Sequence, residues 1–350
     1  MQIAVINDSH FGVRNDAAVI LQHQRKFFEE QFFPYLEKNN IDTILHLGDL
    51  FDRRKYVNYK TLQQVQHFFF DYLYQNDIKM YIIAGNHDVY YKDTNDVNSL
   101  RLIANQYPNI YVIDHSPEVL TFDQIDIGCV PWICKENQDQ CYQFLQETDV
   151  DIIAGHFEIC GFEFMPGIKN HEGQTKKQFS QFEQVWSGHF HHKSTRDNIY
   201  YLGAQYELTW SDVDQRKGFH VFDTKTQKLT YKRNKDQLFY KLTYDDNQTD
   251  YTNYDVSHLE DKFVKVIVEN KSNHFMFDQF IDSIQNVNPF DLTIVEEPQN
   301  LDEDEQYDIN QTQDTMTILE NYVDSMDVEA DKSRLKSIVR ELHSEALAME

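Results

Sequence analysis

Met80-Tyr81-Ile82-Ile83-Ala84-Gly85-Asn86-His87-Asp88 joins an apolar run to a glycine and then to three side chains able to bind metals or protons. The apolar run predicts a strand, and the polar cluster stands at its carboxyl end, where ligands gather in α/β folds. Four other stretches repeat the arrangement. Ile3-Ala4-Val5-Ile6 leads to Asp8-Ser9-His10, and Thr43-Ile44-Leu45-His46-Leu47 leads to Gly48-Asp49-Leu50-Phe51-Asp52. Further along, Asp151-Ile152-Ile153-Ala154 precedes Gly155-His156, and Gln184-Val185-Trp186-Ser187 precedes Gly188-His189-Phe190-His191. A lone His is more often structural than a ligand, but strand ends of this kind recurring along one chain predict an α/β fold with a two-metal hydrolytic site.

Coordination chemistry explains the residue types. Imidazole nitrogen mixed with carboxylate oxygen suits a borderline divalent ion, Mn, Fe or Zn before Mg or Ca. Two such ions, about 3.5–4 Å apart, clamp a phosphoryl group and ionise a water at neutral pH. One carboxylate must bridge them, and Asp49 is the candidate. The glycines before Asp49, Asn86, His156 and His189 suit sharp strand-to-loop turns.

These motifs, in this order, resemble the calcineurin-like metallophosphoesterases, whose pattern is D-x-H, G-D-x-x-D, G-N-H-D/E, G-H and G-H-x-H. More narrowly the chain resembles the nuclease subunits of SbcCD-type DNA-repair complexes and, within them, the recombination endonuclease subunits of T-even-type phages. The resemblance implies two packed β-sheets flanked by helices, a small α/β cap domain and a carboxy-terminal helical pair. It implies one metal held by Asp8, His10, Asp49 and His191 and another by Asp49, Asn86, His156 and His189, with manganese the foremost choice. His87 would be the non-ligand catalytic histidine. One departure stands out: repair nucleases commonly carry a second His where this chain has Asp52. Gly48-Asp49-Leu50-Phe51-Asp52-Arg53 is similar instead to the protein-phosphatase motif G-D-x-x-D-R-G, although Arg54 replaces its last Gly. Carried over, the Asp52 carboxylate would support His87 and Arg53 would hold a phosphate; otherwise Asp52 caps the next helix and Arg53 is a solvated charge. Of the remaining histidines, His46, His115 and His171 read as structural or surface residues, and His192 as a candidate contact to substrate phosphate.

Composition sets bounds. A chain of 350 residues is long enough for one large domain with appendages. Cys129, Cys134, Cys141 and Cys160 form no C-x-x-C pair, which favours reduced thiols in a cytoplasmic compartment, the host's if the chain is phage-encoded. No leader and no apolar stretch near about 18 residues is present, so the expectation is a soluble protein without a membrane partner. The formal net charge of −26, from 58 acidic and 32 basic residues, should repel DNA. Bound metals, small basic groups such as Arg53-Arg54-Lys55 and Lys176-Lys177, or a partner protein would offset that repulsion.

The rest of the chain reads as accessory parts. Residues 1–246 form the expected catalytic domain. Leu62, Val65, Phe69, Tyr72 and Leu73 recur at helical spacing between Tyr59 and Tyr74, and Val97, Leu100, Ile103 and Ala104 share a second helical face. In the related nucleases these helices pack across a two-fold axis, so the resemblance implies a homodimer. Phe68-Phe69-Phe70 is wider than one helix face needs, which favours some intermolecular burial. Residues 247–298 form the expected cap, with strands at Phe263–Val268 and Leu292–Val295 around a helix at Phe275–Ile284. An acidic linker follows at 299–312. Residues 313–350 carry two amphipathic stretches, one with Leu319, Tyr322 and Val323, the other with Leu335, Ile338, Val339 and Leu342. Helices this short cannot bury their apolar faces alone, and the resemblance names the coiled-coil base of an ABC-type ATPase as recipient, giving a heterotetramer.

The resulting expectation is a two-metal DNA exonuclease and endonuclease, the nuclease subunit of an ATPase complex in recombination, repair and recombination-dependent replication. The alternatives are a phosphomonoesterase or cyclic-nucleotide phosphodiesterase of the same superfamily, and a catalytically silent scaffold that regulates the ATPase.

Overall fold

The computed structural model describes residues 1–165 and 168–296, together with Lys332 and Lys336. The acidic segment 299–312 and the proposed partner-binding residues Leu319, Tyr322, Val323, Leu335, Ile338, Val339 and Leu342 lie outside the described residues. No helix among the described residues is long and apolar enough to cross a membrane.

Two six-stranded sheets carry the motifs. The first runs in the order Lys228–Arg233, Gly218–Asp223, Gln2–Ile6, Thr43–His46, Lys79–Ile83, Ile110–Ile113, with its last four strands parallel. The second runs Ser194–Arg196, Ile199–Tyr201, Gln184–Ser187, Ile152–Gly155, Ile125–Val130, Glu118–Phe122, with its middle four strands parallel. Period-2 alternation sorts the side chains between layers. Ile3, Val5, Leu45, Leu47 and Ile83 of the first sheet share one core with Ile127, Cys129, Ile152, Ala154 and Trp186 of the second. The opposite face of the first sheet, with Ala4, Ile6, Ile44, Met80 and Ile82, packs on helical aromatics such as Phe28, Phe32 and Phe69. Ile153 and Val185 turn the other way and meet Cys141 and Leu145 of the helix Gln138–Glu147. Parallel strands covered on both faces account for the near-continuous apolar runs that lead into each motif.

The stretch from Tyr59 to Gln75 is helical, capped by the Asn58 side chain, but Gln66–Phe70 is a π-helical segment. This corrects the expectation for Phe68-Phe69-Phe70. The wider turn brings all three rings inward, and they are 4%, 0% and 0% exposed within the single chain, so their burial calls for no second copy. A matching π-helical segment at Phe28–Phe32 places Phe28 and Phe69 with ring centroids 4.9 Å apart.

A third sheet, parallel, orders its strands as Phe239–Asp245, Phe263–Asn270 and Asp291–Glu296, with the helix His274–Asn286 against it. Phe277, Phe280, Ile281 and Ile284 of that helix close a separate small core over Val264 and Val266. The sheet begins at Phe239, before the sequence changes character near Asn247, because Phe239–Asp245 pairs forward with Phe263–Asn270. The small unit is fastened to the larger one by Glu207, only 3% exposed, whose Oε2 accepts the backbone N–H groups of Leu238 at 2.7 Å and Phe239 at 2.9 Å.

Burial pushes the Glu207 carboxyl from its ordinary 4.5 up to about 7, against the pull of those two N–H donors. The folded state therefore keeps a proton that the unfolded chain has already released above 4.5. Stability contributed by protonated Glu207 is present at low pH and is lost as pH rises through about 7. A difference of this size is worth on the order of 3 kcal/mol. Glu207→Gln is expected to match the parent in urea midpoint at about pH 5 and to exceed it at about pH 8.5; equal losses for both proteins between those pH values would contradict this.

Candidate metal centre

The motif loops are laced together by main-chain hydrogen bonds before any ligand is considered. Asp8 N–H donates to Gly48 O at 2.9 Å, His10 N–H to Asp49 O at 3.0 Å, and Phe11 N–H to Leu50 O at 2.9 Å. The Asp88 carboxylate accepts from Gly85 N–H at 2.9 Å, Asp49 N–H at 2.8 Å and Leu50 N–H at 3.0 Å. His189 N–H reaches both carboxylate oxygens of Asp8 at 3.1 Å, and Gly188 N–H donates to Gly155 O at 3.2 Å. Asp8, His10, Asp49 and His189 all hold positive φ, at 49°, 45°, 58° and 83°. Such conformations cost energy in non-glycine residues and persist where the surroundings over-determine them.

Gly48 has φ 97°, as a sharp turn requires, and a Cβ there would lie 2.6 Å from His156 Nδ1. Gly85, Gly155 and Gly188 have ordinary backbone angles and are needed for space instead. At Gly85 a Cβ would sit 2.2 Å from Asp49 Oδ1 and 2.5 Å from Asp49 N.

The side chains then converge in three groups whose ligand atoms lie within 4.8 Å: Asp8, His10 and His191; His10, Asp49 and His87; Asp49, His156 and His189. Asn86 joins the last group, its Oδ1 being 3.0 Å from His156 Nε2 and 2.9 Å from His189 Nδ1. His191 Nε2 and His10 Nε2 approach to 3.0 Å, and His156 Nε2 lies 3.2 Å from Asp49 Oδ2. All seven proposed ligands, and His87, are thus brought together. Converging imidazole nitrogens, carboxylate oxygens and one amide oxygen fit divalent ions of borderline hardness. The His156 ring is oriented in the usual way for a ligand, with Nδ1 donating to Leu47 O at 2.8 Å.

Burial and charge work against each other here. Burial raises the Asp49 carboxyl, but His156, His87 and His10 outweigh it and hold Asp49 well below the usual carboxylate range. Burial pulls His10 down, yet Asp52, Asp49 and Asp8 lift it to about 9; His156, likewise pulled down by burial but flanked by Asp49 and Asp8, also rises to about 9. His189 drops to about 3 through burial and the charge of His156, and His191 falls well below its ordinary value through burial and His10.

Asp52 and Arg53 sit differently from the expectation. The His87 ring is held by the backbone carbonyl of Asp52, whereas the Asp52 carboxylate faces His10, its Oδ1 3.3 Å from His10 Nδ1. A carbonyl only accepts, so His87 Nδ1 is the donor in this contact. The reason is the loop conformation, which turns the Asp52 side chain back toward the first motif. Arg53 is engaged by the Asn15 side chain and lies over the Tyr56 ring at 4.9 Å, while Arg54 is half-buried near Asp49. His192 lines a pocket of about 460 Å³ beside His189 and His191, together with Glu158, Phe164 and Gln215.

Several contributors carry no separate signal in the sequence. Asp88 stands out only as the end of Gly85-Asn86-His87-Asp88. His46 lies behind the site: its Nδ1 accepts Gly48 N–H at 3.2 Å, so Nε2 carries the proton and donates to Ser9 Oγ at 2.9 Å. Trp132 walls the other side, with its ring 5.4 Å from that of His189.

Loops of this kind on paired sheets define a metal-dependent phosphoester hydrolase, and the chain belongs to the calcineurin-like phosphoesterases, whose family model matches residues 1–193. It is similar to exonuclease subunit 1 of Enterobacteria phage T4, with 29% identity over 350 residues and 99% of both chains. It is also similar to an SbcCD nuclease subunit of Staphylococcus saprophyticus, 24% identical over 66% of this chain and 68% of that protein. The corresponding protein of Staphylococcus epidermidis is 26% identical over 65% and 67%.

Gly85→Ala forces a methyl group into the Asp49 backbone and carboxylate. Because a backbone atom cannot rotate away, Mn²⁺ affinity measured by titration calorimetry is expected to fall at least about tenfold; parent-like affinity would show that the loops have slack.

Proposed function

We propose that this chain is a two-metal DNA nuclease, the nuclease subunit of an ATPase–nuclease complex. The observation that carries the proposal is that Asp49 stands in the middle of the converging ligand atoms, shared by the groups around His10 and around His156 and His189. A shared carboxylate between two imidazole-rich groups is the arrangement two adjacent ions require. We assign Asp8, His10, Asp49 and His191 to one ion and Asp49, Asn86, His156 and His189 to the other, manganese being the foremost candidate. When bound, the ions supply Lewis acidity and a nucleophilic water for in-line attack on phosphorus.

The chain's own residues then do three things. Asp88 and the laced loops hold the ligands in place, so that little reorganisation accompanies reaction. His87, its Nδ1–H held by the Asp52 carbonyl, presents Nε2, protonated in the imidazolium form, as donor to the transferring phosphoryl or the leaving oxygen. Asp52, through its carboxylate, orients His10. Arg53, paired with Asn15 and Tyr56, is not the ready phosphate clamp of a phosphatase, which weakens the phosphomonoesterase alternative.

The relatives are named as nuclease or exonuclease subunits, and the T4 protein aligns along 99% of both chains, which supports the same role and a partner protein here. The net charge of −26 supports it independently, since a polyanion meets another polyanion poorly without help. We propose an ABC-type ATPase with a coiled coil as that partner, docked through residues 313–350, and a homodimer of this chain within the complex. Residues 239–296 are proposed as the cap that positions DNA.

With Mn²⁺ the purified chain should degrade linear DNA, and His87→Ala should slow cleavage by about 10²–10⁴ while leaving metal uptake intact. Hydrolysis restricted to a small phosphomonoester would sink the nuclease proposal.

A further inference from the structure

The two groups assigned to metals differ in how their histidines are braced. The His156 ring is anchored through Nδ1 to a backbone carbonyl. Among the described residues, the one hydrogen-bond-range contact of the His191 ring is to His10. What is fixed at His191 is its main chain. The Lys217 Nζ donates to His191 O at 2.7 Å and to Asp212 Oδ1 at 2.6 Å, and Ala204 N–H reaches the same carbonyl at 3.2 Å. Lys217 and Asp212 are 4% and 2% exposed.

A buried ammonium is costly unless it is paired and hydrogen-bonded, and a well-packed apolar residue often stabilises a fold as much as a buried ion pair does. General stability is therefore a weak reason for this pair. Its connections are specific. Asp212 uses Oδ2 to accept Leu208 N–H and Thr209 N–H, both at 2.9 Å, which fixes the turn Trp210–Asp212. The carbonyl of Lys217 accepts Tyr231 O–H at 2.7 Å and Asn234 N–H at 2.8 Å, which ties it to the edge of the first sheet. Nζ thus joins two fixed points to His191. Gly203, φ 73°, allows the close approach: a Cβ there would lie 3.1 Å from His191 O.

We infer that the buried Lys217–Asp212 pair is a brace that sets the position of His191 over Asp8 and His10, so that Lys217 is a positioning residue for the metal on that side alone. The inference rests on the two-metal proposal above. It assigns His191 a main-chain anchor where His156 has a side-chain one. It also gives the two metals unequal dependence on the segment 203–217.

Equilibrium dialysis of the full chain against Mn²⁺, with bound metal counted by elemental analysis, tests this. The parent should take up two ions per chain. Lys217→Met should keep one at parent affinity and bind the second at least about tenfold more weakly. The paired variant Lys217→Met with Asp212→Asn leaves no charge unmatched; it should lose the same ion, and it decides the matter if the single variant does not fold. Thermal melts in EDTA report folding separately from metal uptake. Two ions at parent affinities in either folded variant, or equal weakening of both ions, overturns the brace. A parent that takes up fewer than two ions overturns the two-metal proposal and the brace with it, and that result is visible before any variant is made.

Discussion

The Asp88 carboxylate, fully buried, accepts three backbone N–H groups within 3.0 Å, one from the loop carrying Asn86 and two from the loop carrying Asp49. Remove it, and the Asp49 N–H and Gly85 N–H lose their acceptor in a space where even a methyl group does not fit. Unsatisfied buried donors cost about 1–3 kcal/mol each. The constraint reaches further because Asp49 O in turn accepts from His10, and Asp8 accepts from His189. One carboxylate therefore fixes the relative position of the second and third motifs directly, and of the first and last through them. Burial and the nearby Asp49 push Asp88 up to about 7, so this position is held against an electrostatic cost.

That lacing explains why so much of the site is legible in the sequence. A ligand that must leave a strand end through a turn of fixed shape carries its spacing with it, so Asp8 and His10, Gly48 and Asp49, and His189 and His191 stand out as local patterns. The fold is legible for the same reason: strands covered on both faces leave apolar runs, and Ile3 and Val5 can be told from Ala4 and Ile6 by alternation alone. Interactions whose partner is distant in sequence leave no such trace. Nothing local says that Asp52 meets His87 with its carbonyl and His10 with its carboxylate, since that depends on how its loop turns. Lys217 looks like any surface lysine until the chain returns past His191. The π-helical segments are hidden as well. Phe68-Phe69-Phe70 is too wide a stripe for an α-helix, and the extra width is taken up by a change of helix type within the chain.

Charge is the second organising constraint. Asp8, Asp49 and Asp88 are each no more than 1% exposed, with Asp52 partly covered beside them, in a chain already carrying a net charge of −26. Histidines supply the compensation: His10 and His156, both lifted to about 9, lie against the carboxylates, while His189 and His191 stay neutral at the edges. On the two-metal proposal, bound ions would replace protons by higher charge at the same places and would turn a centre that repels phosphate into one that attracts it. The rest of the surface does not change sign with it.

The segment after the first motif links this centre to the small third sheet. Gly12 and the consecutive residues Arg14, Asn15 and Asp16 all hold positive φ, a run that non-glycine residues adopt only under tight restraint. The restraints are visible: the Asp16 carboxylate accepts Thr61 O–H at 2.7 Å, Asn15 meets Arg53, and the Arg14 guanidinium lies 5.6 Å from the Phe239 ring centroid and 5.1 Å from that of Phe263. His10, just before this segment, belongs to the candidate metal centre, whereas Phe239 and Phe263, which Arg14 meets, begin the first two strands of the third sheet. Glu207 holds the same strand start from the other side. The third sheet is thus held close to where its strands begin, by Arg14, by Glu207 and by Trp210, whose ring lies 5.0 Å from that of Phe239 and 4.3 Å from Lys265 Nζ, and its far end, with the exposed Ile294 and Val295, is the part farthest along the chain from those restraints.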